Sequence, residues 1–278
     1  MTKIGVDLGG TNIRAGLCEE EVILKKEKTN LREKDSLEST LQQLINLIKP
    51  LVEPSVTAMG VAVPSIVAHG IVYNVVNIPS WEKVPLQSIL EKEFNLPVRV
   101  ENDANCFALG EMFHGKARGH KNVVGVTLGT GVGGGVILNH KIFTGHNGGA
   151  GEIGYLNYKD RDFEFYGGSF FFEEIHHLSA LEAFQRGKAG DPKALVIWEE
   201  YGKHIADLIK TILYAYDPEA IVFGGSISLA WELFESSMRK NLQMGFHFPL
   251  SMERLQIYQS ENEDITLLGA SSLVSAFQ

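Results

Sequence analysis

Residues 4–10 read IGVDLGG, and residues 124–130 read VGVTLGT, a related stretch 120 positions further along the chain. Each stretch is a short apolar strand that runs into a glycine turn and then a second apolar run, at residues 13–17 and 135–138. Apolar runs separated by glycines predict a β-hairpin in each place. Because solenoid repeats span only about 20–50 residues, an offset this long predicts two domains of shared topology.

The segments after the first hairpin alternate between helical and strand patterns. Apolar residues recur at helical spacing over residues 37–48, with Asp35 and Glu38 as a predicted capping pair and Pro50 as the stop. Further predicted elements are strands over residues 57–63 and 98–100 and helices over residues 86–94 and 104–115.

The second half of the chain contains the same kinds of element. Asp191-Pro192 and Asp217-Pro218 bound a long helix with an apolar stripe, since proline suits a helix start and cannot continue a helix. Residues 221–223 predict a strand that leads into Gly224-Gly225, and residues 269–277 predict a terminal helix. Hairpins followed by alternating helices and strands favour an α/β fold with mixed sheets.

The composition is that of an ordinary globular protein. Of 278 residues, 44% are hydrophobic and 21% charged, which argues against a disordered or fibrous chain. The 25 Lys and Arg residues against 34 Asp and Glu give a net charge of −9, so neither nucleic acid nor a membrane is an expected partner. No signal peptide is visible, and Cys18 and Cys106 are too few for a disulfide framework. The expected compartment is therefore the reducing cytoplasm.

The turn after the first strand combines a carboxylate with glycine backbone. Residues 7–12 read DLGGTN, so Asp7 stands at a strand end beside a turn whose N–H groups can form an anion-binding concavity. A lone carboxylate there suits a hydrated Mg²⁺. The alternative interpretation is an ordinary hairpin turn.

The second glycine turn favours a phosphate-binding hairpin over a dinucleotide site. Residues 128–135, LGTGVGGG, contain the spacing G-x-G-x-x-G, and Glu152 follows about 20 residues later. A dinucleotide site requires this motif to open a helix, whereas residues 136–138 are strand-like. A dinucleotide-binding site is therefore the weaker alternative interpretation of this motif.

A third motif, residues 98–105, VRVENDAN, places Asp103 where an apolar strand meets a helix. A hydroxyl that attacks a phosphoryl group needs such a carboxylate as its base or orienting group. Asp103 could equally cap the following helix, and the spacing by itself does not decide between the two roles.

These motifs, followed by Gly151-Glu152-Ile153-Gly154 and by residues 217–225, occur in an order that resembles the ROK family of bacterial sugar kinases and repressors. The resemblance covers nearly the whole chain. It implies an α/β, two-domain actin-like ATPase (ribonuclease H-like) fold with a central cleft. The implied boundaries are a sugar-kinase domain at 1–117 and a nucleotide-binding domain at 118–278, with a terminal helix at about 265–278 packing back on the first.

The resemblance also implies the residues of the active site. Asp103 is the expected catalytic base, and Asp7 is expected to organise Mg²⁺, directly or through water. The implied ATP-binding residues are Asp7, Gly9, Gly10, Thr11, Asn12, Gly129, Thr130, Gly131, Gly224 and Gly225. The implied sugar-binding residues are Asn77, Asn102, Asp103, Glu152, Tyr155 and Glu173.

The chain departs from the family pattern where many members bind structural zinc. Tyr155 stands at the position of a histidine, and no cysteine remains in the segment 163–174. We therefore expect no zinc and predict that aromatic packing anchors this segment. The last sugar-binding carboxylate falls on Glu173 or Glu174, since the alignment slips by one residue. Tyr155 is also larger than histidine, which bears on which sugar fits.

The function that this resemblance implies is ATP-dependent phosphorylation of a hexose or N-acetylhexosamine. The expected acceptor is the carbon-6 hydroxyl of glucose, and N-acetylglucosamine and N-acetylmannosamine are alternatives. Polyphosphate is an alternative donor. A sugar-binding module that has lost kinase activity, or a regulator of the ROK type, is the alternative class. A homodimer is the expected assembly.

Overall fold

The computed structural model describes residues 1–276 and divides the chain into two compact units. The first unit contains residues 1–118, 135–150 and 261 onward, and the second contains residues 119–134 and 151–260. The domain boundary that the sequence implied, between residues 117 and 118, stays a prediction. The first compact unit includes residues up to 118 and also two segments from later in the chain.

The first unit is built on a five-stranded sheet. Its strands and helices are β1 (Thr2–Leu8), β2 (Asn12–Glu19), β3 (Val22–Asn30), α1 (Leu37–Ile48), β4 (Val56–Val63), β5 (Ile66–Ala68), β6 (Ile71–Tyr73), β7 (Lys83–Val84), α2 (Leu86–Phe94), β8 (Val98–Asn102) and α3 (Asp103–His114). The sheet order is β3-β2-β1-β4-β8, with β1, β2 and β3 antiparallel and β4 and β8 parallel to β1. The predicted first hairpin is therefore present, with Asp7 opposite Arg14.

The remaining elements of the chain follow α3. They are β9 (Val123–Leu128), β10 (Val132–Leu138), β11 (Lys141–Ile142), β12 (Asn157–Tyr158), β13 (Arg161–Asp162), α4 (Phe163–Gly167), α5 (Ala180–Lys188), α6 (Pro192–Tyr216), β14 (Ala220–Gly224), α7 (Trp231–Leu242), α8 (Pro249–Arg254), β15 (Gln256–Gln259) and α9 (Ile265–Ala276). The second large sheet has the order β11-β10-β9-β14-β15. Each sheet thus has a hairpin strand at its centre, β1 or β9, which confirms the repeat read from the sequence.

Most helix boundaries agree with the sequence prediction to within one residue: α3 is Asp103–His114 against a predicted 104–115. Two predictions, the cap of α1 and the start of the terminal helix from the local pattern, differ from the structure. The N-cap of α1 is Ser36, whose Oγ accepts the N–H of Ser39 at 3.2 Å, so the expected capping pair of Asp35 and Glu38 is wrong. The terminal helix begins at Ile265, which agrees with the start at about 265 that the family resemblance implied and not with the start at Gly269 that the local pattern predicted. The last two residues of the predicted terminal helix, 277 and 278, lie outside the described residues.

The terminal helix α9 packs directly on the first sheet. Gly5 of β1 and Gly60 of β4 are neighbours in register, and their α-carbons lie against the carbonyl oxygens of Leu267 and Ala270. A side chain at either glycine would overlap these backbone atoms, so the close approach requires glycine. The prediction that this helix returns to the N-terminal half agrees with its place in the first unit.

The core of the second unit is rich in aromatic side chains around α6. Trp198, Tyr201 and Phe234 are fully buried, and the Trp198 and Phe234 rings stack with centroids 6.1 Å apart. The Tyr201 hydroxyl donates to the carbonyl oxygen of Gly167 at 2.7 Å, which satisfies its buried polar atom. In the part of the chain that the structure describes, no helix is long and apolar enough to cross a membrane.

Candidate active site

In the first unit, two predicted site segments lie at the same edge of the sheet. Asp7 of β1 is in register with Ala62 of β4, and Ala62 is in register with Glu101 of β8. Parallel strands end at a common edge, so Asn102 and Asp103 emerge there together with the turn that follows Asp7.

The junction of β8 and α3 presents Asn102 and Asp103. Asn102 caps the helix, since its Oδ1 accepts the N–H groups of Ala104 at 2.9 Å and Asn105 at 3.3 Å. Its Nδ2 donates to the carbonyl oxygen of Ser65 at 3.3 Å. Asp103 is the first helical residue, and its Oδ1 accepts the N–H of Ala104 at 2.8 Å. The N-cap role that the sequence left open for Asp103 is therefore taken by Asn102, and Asp103 lies at a helix N-terminus, which favours negative charge.

Two buried polar side chains support this junction, and the sequence predicted no role for either. Oε1 of Glu101 accepts the N–H of Asn102 at 2.8 Å and the Nδ2 of Asn105 at 3.1 Å. Burial raises the pKa of Glu101, and these two hydrogen bonds oppose the rise. Glu101 thus holds the backbone of the residue that precedes Asp103. In the sequence, the only signal for Glu101 and Asn105 was the run of polar residues that follows an apolar strand.

Asp7, the residue predicted to organise Mg²⁺, forms a salt bridge with Arg14. Its Oδ2 accepts from Nη2 of Arg14 at 2.5 Å and from Nε at 3.1 Å. Arg14 also reaches Oδ1 of Asp264 at 3.3 Å. The contacts to Arg14 use one oxygen of Asp7, which leaves Oδ1 outside this pair. A single carboxylate oxygen fits the way proteins hold Mg²⁺, with water and substrate phosphates as the other ligands.

The first glycine turn is closed by hydrogen bonds and lies against Asn77. The N–H of Gly9 donates to the carbonyl oxygen of Asn12 at 2.9 Å. A side chain at Gly10 would collide with the side chain of Asn77, since its Cβ would lie 2.6 Å from that of Asn77. The structure therefore brings together Gly10 and Asn77, one predicted to bind ATP and the other sugar.

In the second unit, the two remaining glycine turns are neighbours. β9 and β14 are parallel, with Gly224 in register with Thr127. Gly225 has φ +86°, a conformation that favours glycine, and its α-carbon lies against the backbone of Leu128. The turn at 129–131 follows Leu128 directly, so the structure brings both predicted nucleotide turns to one sheet edge, where open α/β sheets bind ligands.

A carboxylate that the sequence analysis missed, Glu164, lies against the second turn. A Cβ at Gly131 would overlap the carboxylate of Glu164, and Glu164 accepts a hydrogen bond from the N–H of Val132. Burial raises the pKa of Glu152, and the charge of Glu164 raises it further. The charge of Glu164, burial and the charge of Glu152 also raise the pKa of Tyr155. The two carboxylates therefore act on the ionisation of the same tyrosine. Glu164 lay inside an aromatic segment that offered no motif.

The segment 163–174 is anchored by aromatic packing, as predicted. Phe171 and Phe172 are fully buried, and Phe172 packs on Trp198 with ring centroids 4.7 Å apart. They begin a π-helical turn, Phe171–Ile175, on which Glu173 and Glu174 are both exposed. The choice between these two glutamates stays a prediction. Among residues 1–276, no three His, Cys, Asp or Glu side chains are grouped so that they could hold a metal ion.

Comparison with known proteins identifies the family. The model of the ROK family matches residues 3–167 and 168–276. The chain therefore belongs to the ROK family, and its mixed α/β architecture is the actin-like ATPase fold.

Named relatives match most or nearly all of the chain. A glucokinase from Thermotoga maritima is 28% identical over 98% of this chain and 96% of its own length. An N-acetyl-D-glucosamine kinase from Yersinia pseudotuberculosis is 31% identical over 81% of this chain and 83% of its own. The crystal structure of a ROK family glucokinase from Streptomyces griseus, in complex with glucose and AMPPNP, superposes with a TM-score of 0.81. It is 26% identical, with 98% of this chain and 99% of that chain covered.

Proposed function

We propose that this protein is an ATP-dependent sugar kinase with Asp103 as its general base. The observation that carries the proposal is the β8–α3 junction, where Asn102 provides the cap and Asp103 occupies the first helical position. Membership of the ROK family and the names of the relatives support the same activity. The acceptor that we expect is the carbon-6 hydroxyl of glucose.

In this proposal, three residues of the first unit, Asp103, Asn102 and Asn77, act on the sugar. The carboxylate of Asp103 takes the proton of the attacking hydroxyl as its oxygen bonds to the γ-phosphorus and the bond to ADP breaks. Asn102 and Asn77 orient sugar hydroxyls, because amides both donate and accept hydrogen bonds. Glu101 keeps the backbone at Asn102 fixed, which preserves the direction of attack.

In the second unit, the turns at 129–131 and 224–225 are proposed to bind the nucleotide through backbone N–H groups. Glu152, Tyr155 and Glu173 are proposed to contact sugar. Mg²⁺ bound near Asp7 would balance negative charge on the phosphates. Dependence on Mg²⁺, a homodimer and a cytoplasmic location belong to the same proposal and rest on the family resemblance.

A second substrate class has its own support. The Yersinia pseudotuberculosis relative is named an N-acetyl-D-glucosamine kinase, and Tyr155 replaces a histidine expected at the sugar. N-acetylhexosamines are therefore included in the test. A sugar sensor without kinase activity is the remaining alternative.

The test measures ADP release with ATP, Mg²⁺ and a panel of hexoses and N-acetylhexosamines. Asp103→Asn should lower kcat by about 100-fold or more, because an amide cannot accept the proton. The control Asp217→Asn makes the same chemical change at an exposed left-handed helix cap, where asparagine is tolerated, and should retain activity. With 6-deoxyglucose in place of glucose, turnover should cease.

Near-normal turnover by folded Asp103→Asn would show that the assigned base is wrong. If the wild-type protein binds sugars but releases no ADP with any of them, and polyphosphate fails as donor too, the non-catalytic alternative replaces the kinase. Turnover of N-acetylhexosamines alone would change the substrate class and keep the mechanism.

A further inference from the structure

Lys34, in the segment between β3 and α1, reaches the first glycine turn. Its ammonium group donates a hydrogen bond to the carbonyl oxygen of Gly10. Lys34 is half-buried, and its own carbonyl oxygen accepts from Oγ of Ser80 at 2.7 Å. The lysine is therefore held at both ends, by the turn and by the segment that carries Asn77. None of the motifs in the sequence includes Lys34.

Among the residues that the structure describes, Lys34 has no acidic side chain within ion-pair distance, unlike two cations of the first sheet. Arg14 pairs with Asp7 and Asp264, and Lys26 pairs with Asp264. Within residues 1–276, Lys34 forms no ion pair, and the contact to Gly10 uses one of its three N–H donors. A partly buried charge is costly unless a counter-charge is present. An anion at the turn would supply that counter-charge.

The contact also sets the direction of the backbone. The peptide between Gly10 and Thr11 is trans, so its N–H points away from the carbonyl that Lys34 binds. A cation on the carbonyl oxygen polarises the peptide and strengthens the N–H of Thr11 as a donor. Lys34 thus fixes the orientation of an N–H that can face a phosphate oxygen.

We propose that Lys34 is a positioning residue for the phosphoryl donor: its ammonium holds the Gly10–Thr11 peptide and supplies positive charge beside the triphosphate. The proposal rests on the proposed kinase function, because it assumes that the turn receives phosphate groups. It assigns the charge at this turn to a residue 24 positions away in the chain.

The experiment compares Lys34→Gln, Lys34→Met and Lys34→Arg in the full-length protein. Glutamine keeps an N–H donor without the charge, methionine removes both, and arginine keeps both. Lys28→Gln on β3 is the control, since it makes the same charge change at an exposed site. For each protein, kcat and KM for ATP and for sugar, ATP binding without sugar by calorimetry, and thermal unfolding are measured.

We expect Lys34→Gln to lose about 10- to 100-fold in kcat/KM for ATP, the size typical of one charged hydrogen bond. Lys34→Arg should recover most of this loss, and sugar affinity should stay within about twofold of the wild type. If Lys34→Gln loses no more kcat/KM for ATP than the control Lys28→Gln, the proposal is wrong. Equal losses in all three variants together with lower melting temperatures would also overturn it, because they indicate a structural role only.

The two proposals fail in distinguishable ways. If the wild-type protein shows no sugar-dependent turnover, the proposed kinase function is wrong. The role of Lys34 is then tested by the calorimetric affinity for ATP alone. A loss of ATP affinity in Lys34→Gln but not in Lys34→Arg would still support the role in phosphate binding. If the wild-type protein is inactive and Lys34→Gln binds ATP as tightly as the wild type, both proposals are wrong.

Discussion

Trp81, in the segment that carries Asn77, forms a buried hydrogen bond with Thr40 of α1. The indole Nε1 of Trp81 donates to Oγ1 of Thr40 at 2.7 Å, and both residues are 1% exposed. The same hydroxyl lies 3.0 Å from the carbonyl oxygen of Ser36, the cap of α1. One threonine therefore joins the first helix to the segment that precedes β7.

Thr40→Val should destabilise the protein by about 1–3 kcal/mol, because valine keeps the shape but leaves the indole N–H buried and unpartnered. Urea unfolding followed by tryptophan fluorescence measures the change. Thr57→Val is the matched control at an exposed position: it removes a 3.2 Å hydrogen bond to the carbonyl oxygen of Thr2, which water can replace, and should shift the free energy of unfolding by less than about 1 kcal/mol. Equal effects of the two substitutions would contradict the prediction.

Three of the residues that the sequence analysis missed share one property. Arg14, Lys34 and Glu164 each reach a predicted site residue through a contact that no local motif encodes. Arg14 meets Asp7 through the hairpin register, Lys34 meets Gly10 from a separate loop, and Glu164 meets Gly131 from a later helix. Spacing rules describe neighbours in the chain, so such contacts between segments need the tertiary structure.

The limits of helix α9 are set by its packing and are hard to recognise from the spacing of its apolar residues. Its described residues are buried on nearly every side, so no single apolar stripe marks its start. The glycine at residue 269 suggested a boundary there, yet it lies inside the helix, where its α-carbon meets the backbone of Cys106 on α3. Glycine here permits close helix packing rather than a helix end.

Gly60→Ala should cost about 1–3 kcal/mol or more, because the added methyl would overlap the carbonyl oxygen of Ala270 and force α9 away from the sheet. Chemical denaturation monitored by circular dichroism gives the change. Gly149→Ala is the control, since the nearest atom that its Cβ would meet is Cδ1 of Ile66 at 3.8 Å. If Gly60→Ala is as stable as this control, the close packing of α9 is wrong.

At the level of the whole protein, a buried histidine couples stability to pH. His204 of α6 is 2% exposed, and its Nδ1 lies 3.1 Å from the hydroxyl of Tyr158. Burial lowers the pKa of His204 from 6.5 to about 4, the charge of Lys159 adds to this, and Asp207 opposes it. The folded protein therefore holds this imidazole neutral through a range in which the unfolded chain takes up a proton.

Stability should therefore fall as the pH drops from about 6.5 towards 4, with a contribution from His204 of up to about 3 kcal/mol. Urea unfolding at pH 7, 6, 5 and 4 measures the dependence. His204→Asn removes this linkage and should show a shallower loss, whatever its stability at pH 7. His69→Asn changes an exposed histidine and should keep the wild-type dependence. Parallel curves for His204→Asn and the wild type would refute the assignment.

The sequence by itself determined the elements and their repetition. The related stretches at 4–10 and 124–130 predicted two copies of one topology, and the sheets confirm it with β1 and β9 in equivalent places. Family membership followed from motif order along the chain and is confirmed by the family match. Hydrophobic period, glycine turns and proline are local signals, which is why they can be read without coordinates.

The tertiary structure alone decided which polar groups meet. It assigned the helix cap to Asn102 rather than Asp103, paired Asp7 with Arg14, and placed Lys34 and Glu164 against the glycine turns. The physical reason is that hydrogen bonds and charge pairs depend on distances of a few ångströms. Folding brings those groups together from segments that are far apart in the sequence.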